Sequence, residues 1–139
     1  MKGGKYIMTI REALEALNVL EEDASSKRSI QSNLEVMLTH MLKAVYQPEY
    51  ENKSSWRASI LNGYKGIMRE FPVPYKGALY KKYYLRELDL EFIYRDAVLT
   101  ASEETGKDIN VFPKKCPWTK EQLVNTEFVS EFMNKYCPR

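Results

Sequence analysis

Histidine and cysteine are scarce in this sequence: there is one histidine, His40, and two cysteines, Cys116 and Cys137, among 139 residues. A structural zinc site of the usual His/Cys type would have to recruit all of them, so no metal site is expected. A carboxylate-bridged di-iron bundle is excluded as well, because Met37 stands where a Glu would have to precede His40 on the same helical face. Both thiols precede proline and lie far from the dense disulfide frameworks of small secreted domains, so they are expected to be reduced. No apolar run approaches the roughly 18 residues needed to span a bilayer. The opening MKGGKYIMTIREALE has neither the apolar core nor the small-residue cleavage site of a secretion signal. Together these absences lead to a cytoplasmic expectation with no membrane partner. There is no Gly-x-Ser-x-Gly, no phosphate-cradling glycine loop and no pair of carboxylates at informative spacing, so no cofactor is expected. Nothing alternates with period two long enough to make a sheet.

What is present is helical periodicity. Ile30, Leu34, Met37, Leu38, Met41, Leu42 and Val45 recur at intervals of three and four, one continuous apolar stripe. Upstream, Thr9 and Glu12 make a capping-box start, with Ile10, Leu14, Leu17 and Leu20 on one side. Whether residues 9–46 form one helix or two is left open, because Asp23 to Ser26 could cap a new helix while the stripe runs on through Ala24. Pro48 ends this stretch. Ser54 or Ser55 is expected to cap the next helix, whose Trp56, Ile60, Tyr64, Ile67, Met68 and Phe71 keep helical spacing until Pro72, with Gly63 and Gly66 weakening it. A long helical segment from about Tyr75 to Glu104 follows, closed by Gly106 as a C-cap. Thr119 and Gln122 make a second capping box, and a short helix or two carries Leu123, Phe128, Phe132 and Tyr136 to the end. With 44% apolar residues and the length of one domain, the chain reads as all-α: a single bundle-like domain of about four to six helices over residues 1–139, without a sheet.

The small total charge of +2 conceals an uneven distribution. From Lys53 to Arg86 there are eight Lys/Arg and one Glu, a local net of +7, and subtracting +7 from +2 leaves −5 for the remainder. Within that span YKGALYKKYYLR, residues 75–86, interleaves cations with flat rings, the two ingredients that phosphates and unpaired bases require. Lys76, Tyr80, Lys81, Lys82, Tyr83 and Arg86 are therefore candidate binding residues, although tyrosines and lysine stems also cover apolar surface without any ligand.

A second constellation is HMLKAVYQPEYENKSSWRASI, residues 40–60. His40 is the obvious acid-base candidate, and on the helical wheel it aligns with Lys43 and Gln47 in a polar seam about 120° from the centre of the stripe. A satisfied histidine at a bundle edge would look the same. The residues that follow, Tyr46, Pro48, Glu49, Ser55, Trp56 and Arg57, read as a structural clasp between two helices. In it Pro48 stops one helix, a serine caps the next, Trp56 folds back over Val45 or Leu42, and Arg57 reaches either Glu49 or the free carbonyls ending the first helix. Cys116, in KKCPW, has two lysines beside it that could favour thiolate, or it is simply a loop residue packed under Trp118.

In order and spacing, Leu38, His40, Leu42, Lys43, Tyr46-Gln47-Pro48-Glu49, Ser55-Trp56-Arg57, Ile60, Tyr94, Ala97, Glu104-Thr105-Gly106, Phe112-Pro113, Cys116-Pro117 and Gln122-Leu123 resemble the bacterial and archaeal domain-of-unknown-function family 29. The resemblance covers about residues 17–125, leaving 126–139 as a tail particular to this chain. It implies an α-helical domain and no established activity. The residues themselves leave three classes: a non-enzymatic module binding a protein partner or its own copy, suggested by ten tyrosines and six methionines; a nucleic-acid-binding accessory protein using residues 75–86; and, less favoured, an enzyme centred on His40.

Overall fold

Between Ile10 and Tyr46 there is neither proline nor glycine, and in the computed structural model, which describes residues 9–49, 53–71 and 86–139, the whole stretch is one helix, α1, of 37 residues. The one-or-two question is thus resolved in favour of one. At 1.5 Å per residue α1 is about 55 Å long. The side chains of residues 11–23 lie outside the description, and with them Glu12, Leu14, Leu17 and Leu20 of the expected first stripe.

From Ile30 onward α1 is the axis of the core. Ile30, Leu34, Met37, Leu38, Met41 and Leu42 are all at most 2% exposed, and burying each contributes about 1.5–3 kcal/mol before chain entropy is set against it. Thr39, also buried, returns its hydroxyl to the Glu35 carbonyl at 2.8 Å, so no polar atom is stranded. Helix α2 (Ser54–Met68) and helix α3 (Leu90–Thr105) both pack along this axis. The chain then makes a short 3₁₀ turn (Ile109–Val111), a single-turn helix α4 (Lys120–Leu123) and a final helix α5 (Thr126–Tyr136). Five α-helices and one 3₁₀ turn, with no strand, make up the described residues, an all-α domain as the periodicity requires.

The approach of α2 to α1 is set by glycine. A Cβ on Gly63 would stand 2.9 Å from the Asn33 carbonyl oxygen and 3.0 Å from Met37 Cβ, and one on Gly66 would fall on the Asn33 carboxamide. That carboxamide is folded back along its own helix, donating to the Ser29 carbonyl at 2.9 Å. The two glycines expected only to weaken α2 therefore give it close contact with α1, where Ile60 and Ile67 are buried completely or nearly so.

Two sequence expectations about helix ends need correction. The helical segment expected from about 75 to 104 is interrupted at Leu88 and Asp89, and residues 75–85 lie outside the described residues. Leu88 is drawn into the core at 7% exposure, and Asp89 becomes an N-cap, its carboxylate accepting from Phe92 N at 3.1 Å. Neither Ser54 nor Ser55 is the cap of α2: both lie inside the helix, whose N-cap is Lys53. The other signals are where the sequence puts them. Gly106 closes α3 with φ of 71° and an N–H bonded to the Ser102 carbonyl. Thr119 and Gln122 exchange both capping-box bonds, at 3.1 and 2.9 Å.

Residues beyond Asn125 are built into the same core. Val129, Phe132, Met133 and Cys137 are buried in it, and Phe132 is surrounded by Trp118, Phe128 and Tyr136 at ring-centroid distances of 4.7–6.5 Å.

Truncating Leu38 to Ala removes a fully buried side chain and should destabilise the fold by about 2–5 kcal/mol. Urea unfolding followed by circular dichroism checks this, and a loss below about half a kcal/mol would place the α1 stripe outside the core.

Candidate interaction surface

The junction where α1 ends is held by several side chains at once. Gln47 N–H continues the helical pattern to the Lys43 carbonyl at 2.9 Å, and Pro48 then stops it. Lys53 reaches back to the Ala44 carbonyl at 3.2 Å, supplying a donor to a helix end that has none left of its own. Tyr46 meets Phe112 edge-on at 5.7 Å, and burial with Tyr136 nearby pushes its phenol upward in pKa. Glu49 pairs with Lys107 at 3.0 Å, and its carboxyl is held below its usual range by a bond to its own backbone N–H and then by that lysine.

Trp56 is 6% exposed, under the Lys43 ammonium at 5.2 Å from the ring centroid. Lys43 also donates to Glu104 Oε1 at 2.9 Å, with its own side chain only 12% exposed. This one lysine therefore links α1 to Trp56 of α2 and to Glu104 of α3. His40, in the same seam, is half-buried, and its Nδ1 lies 2.8 Å from the Val36 carbonyl. A carbonyl can only accept, so Nδ1 carries the proton, and the ring is tied down along its own helix. Gln47 is half-buried one turn beyond Lys43.

Arg57 departs from the expectation that it serves Glu49 or the end of α1. Its Nη1 donates to the Cys137 carbonyl at 2.8 Å and its Nη2 to Asn134 Oδ1 at 3.0 Å, so the guanidinium closes the C-terminal end of α5. The cause is geometric: Glu49 is taken by Lys107, Lys53 serves α1, and α2 lies directly against α5. Planar donors at a helix C-terminus satisfy terminal carbonyls and oppose the helix dipole. Ser55 is exposed in the first turn of α2.

Of the six candidate binding residues in the basic segment, Lys76, Tyr80, Lys81, Lys82 and Tyr83 lie outside the described residues. Arg86 is described; it is exposed and its Nε lies 3.3 Å from the adjacent Glu87. The thiolate reading of Cys116 finds no support: burial pushes the thiol up to about 11, a hydrogen bond from the Trp118 backbone offsets part of the rise, and Glu91 adds to it.

A different surface emerges on the far side of α3. Phe92 is 58% and Leu99 52% exposed, on one helical face, with Asp96 between them and Glu103 one turn on. Next to that face, α3 and the 108–114 loop form a groove of about 290 Å³ lined by Glu91, Tyr94, Arg95 and Val98 of α3 and by Ile109, Asn110, Phe112, Pro113 and Lys114. Two bonds tie the loop and the residues just after it to α3, and one shapes the loop from within. Tyr94 donates to the Pro113 carbonyl at 2.6 Å, Asp108 caps Asn110 N at 2.8 Å, and Cys116 N–H donates to Glu91 at 3.1 Å. Burial raises the Tyr94 phenol above its ordinary pKa, so it stays a donor. In the sequence this surface has one signal, the pair Phe92 and Leu99, seven residues apart, on the wrong side of a helix whose core face is Ile93, Ala97, Val98 and Ala101.

Among the described residues no helix is long and apolar enough to cross a membrane. A family model described as a domain of unknown function, DUF29, matches residues 9–129, and no curated protein and no solved structure matches the chain.

Replacing Trp56 by Ala should destabilise by about 3–5 kcal/mol, since it removes a buried indole and the ring beneath Lys43. Arg57→Lys should also lower the unfolding midpoint, because a point charge cannot bond two acceptors in one plane. Chemical denaturation of both variants checks this; two wild-type midpoints would contradict the bonding described for this junction.

Proposed function

The chain belongs to the family of the domain of unknown function DUF29, and from that premise we propose that it is a non-enzymatic helical interaction module, a single domain that binds a protein partner in the cytoplasm. The observation that carries this reading is the contrast between its two sets of side chains. The groups that could do chemistry are engaged in holding the fold: His40 on the Val36 carbonyl, Lys43 between Glu104 and Trp56, Cys116 as a neutral thiol. The large apolar groups Phe92, Leu99, Ile109 and Val111 are instead left exposed on α3 and the loop beside it, flanked by charge of both signs. Such a mixture of apolar anchors with a charged rim is the composition of an interface.

The alternative, a nucleic-acid contact through Lys76, Tyr80, Lys81, Lys82, Tyr83 and Arg86, keeps its support in the +7 balance of residues 53–86. Two of the eight cations in that count, Lys53 and Arg57, have the structural duties described above, which reduces the excess available to a polyanion.

A photo-cross-linking amino acid placed at Leu99 or Ile109 should yield a discrete protein adduct in cells, and the same group at exposed Ser130 should not. A nuclease-sensitive adduct would favour the alternative. Identical behaviour at all three positions would remove the proposal.

A further inference from the structure

We infer that the groove between α3 and the 108–114 loop receives a short extended segment of a partner protein in which an aliphatic side chain stands next to a carboxylate. The inference rests on the interaction-module reading and names the chemistry of the partner. The floor of the groove, Tyr94, Val98 and Phe112, is apolar, and the Tyr94 hydroxyl is already spent on the Pro113 carbonyl. At about 290 Å³ the space is at the lower limit of ligand pockets, room for one side chain and the group beside it rather than for a helix. Arg95 and Lys114 stand at the rim, both exposed, and among the described residues neither has an acidic partner. The one carboxylate lining the groove, Glu91, accepts the Cys116 N–H. A planar guanidinium and an ammonium at the mouth of an apolar slot are complementary to a single carboxylate. A polyanion is disfavoured there, because Glu91 lines the groove itself and Asp96 and Glu103 add negative charge on the neighbouring face of the same helix. The two bonds to α3 and the Asp108–Asn110 bond within the loop leave the groove largely pre-formed, so an extended segment can enter without ordering the receptor.

The test titrates the isotope-labelled full chain with a blocked peptide, acetyl-Gly-Leu-Glu-Gly-amide, and follows amide shifts by NMR. Shifts are expected within residues 91–98 and 109–114, with binding about tenfold weaker when Gln replaces Glu in the peptide, on the unaltered chain, or when the chain carries Arg95→Glu. Equal binding of the Glu and Gln peptides, shifts centred elsewhere, or none up to millimolar peptide would overturn the inference. Equal binding of free 4-methylpentanoate would overturn it in favour of a small-molecule acid, and loss of the groove's signals on concentrating the chain alone would give the site to a second copy. If cross-linking at Leu99 or Ile109 captures a protein while these peptides fail, the module stands and only the peptide chemistry is wrong.

Discussion

The absence of a side chain at Gly63 governs how the molecule is put together. Because that position has no Cβ, α2 can lie against the Asn33 carbonyl and the Met37 side chain of α1, a separation at which any other residue would collide with backbone. Everything that α2 carries is placed by this approach. Ile60 and Ile67 enter the core on the same face, and Trp56 comes beneath Lys43. At the far side of α2, Arg57 arrives at the end of α5 and Tyr64 meets Thr126 through their hydroxyls. A wider spacing between α1 and α2 would loosen each of these together, since packed interfaces do not stretch continuously.

Charge is used in this molecule in two distinct ways. Near the junction of α1 and α2, cations are spent on backbone ends: Lys53 on Ala44, Arg57 on Cys137, while Lys43 and Lys107 each take a carboxylate, Glu104 and Glu49. These pairs are local in space, and all but Lys53 with Ala44 are distant in sequence, up to 80 residues apart for Arg57 and Cys137. On α3 and its loop, Glu104, Glu91 and Asp108 also hold the fold, whereas Arg95 and Lys114 stand beside exposed apolar residues with no acidic partner among the described residues. The half-buried thiol of Cys116 and the tethered ring of His40 are likewise reactive types held in unreactive settings.

How much could be read from the residues follows from the range of the interaction. The α1 stripe, the Gly106 C-cap and the Thr119–Gln122 capping box are set by spacings of three or four residues, and all three stand as the periodicity implies. Asp89 is not legible as a cap, because the apolar pattern on either side of it reads as continuous, while its carboxylate and the burial of Leu88 favour a break. Sequence proximity points Arg57 to Glu49 or the end of α1, but its two acceptors lie at the end of α5, in a tail that fills the core with Val129, Phe132 and Met133. The role of Gly63 was invisible for the same reason: helix propensity is a local quantity, and the close approach of α1 that makes the glycine necessary is not. The groove beside α3 needs two elements to form, so no single spacing announces it.

The same conflict between propensity and packing supplies the sharpest test. In an isolated helix, Ala in place of Gly stabilises by about 1 kcal/mol. If the close approach of α1 and α2 organises this fold, Gly63→Ala must do the opposite, pressing a methyl group against backbone and costing about 1–3 kcal/mol in a well-packed core. Urea unfolding of Gly63→Ala, followed by circular dichroism at 222 nm, should therefore show a midpoint clearly below that of the parent chain; a midpoint raised by the full helical gain would contradict the account.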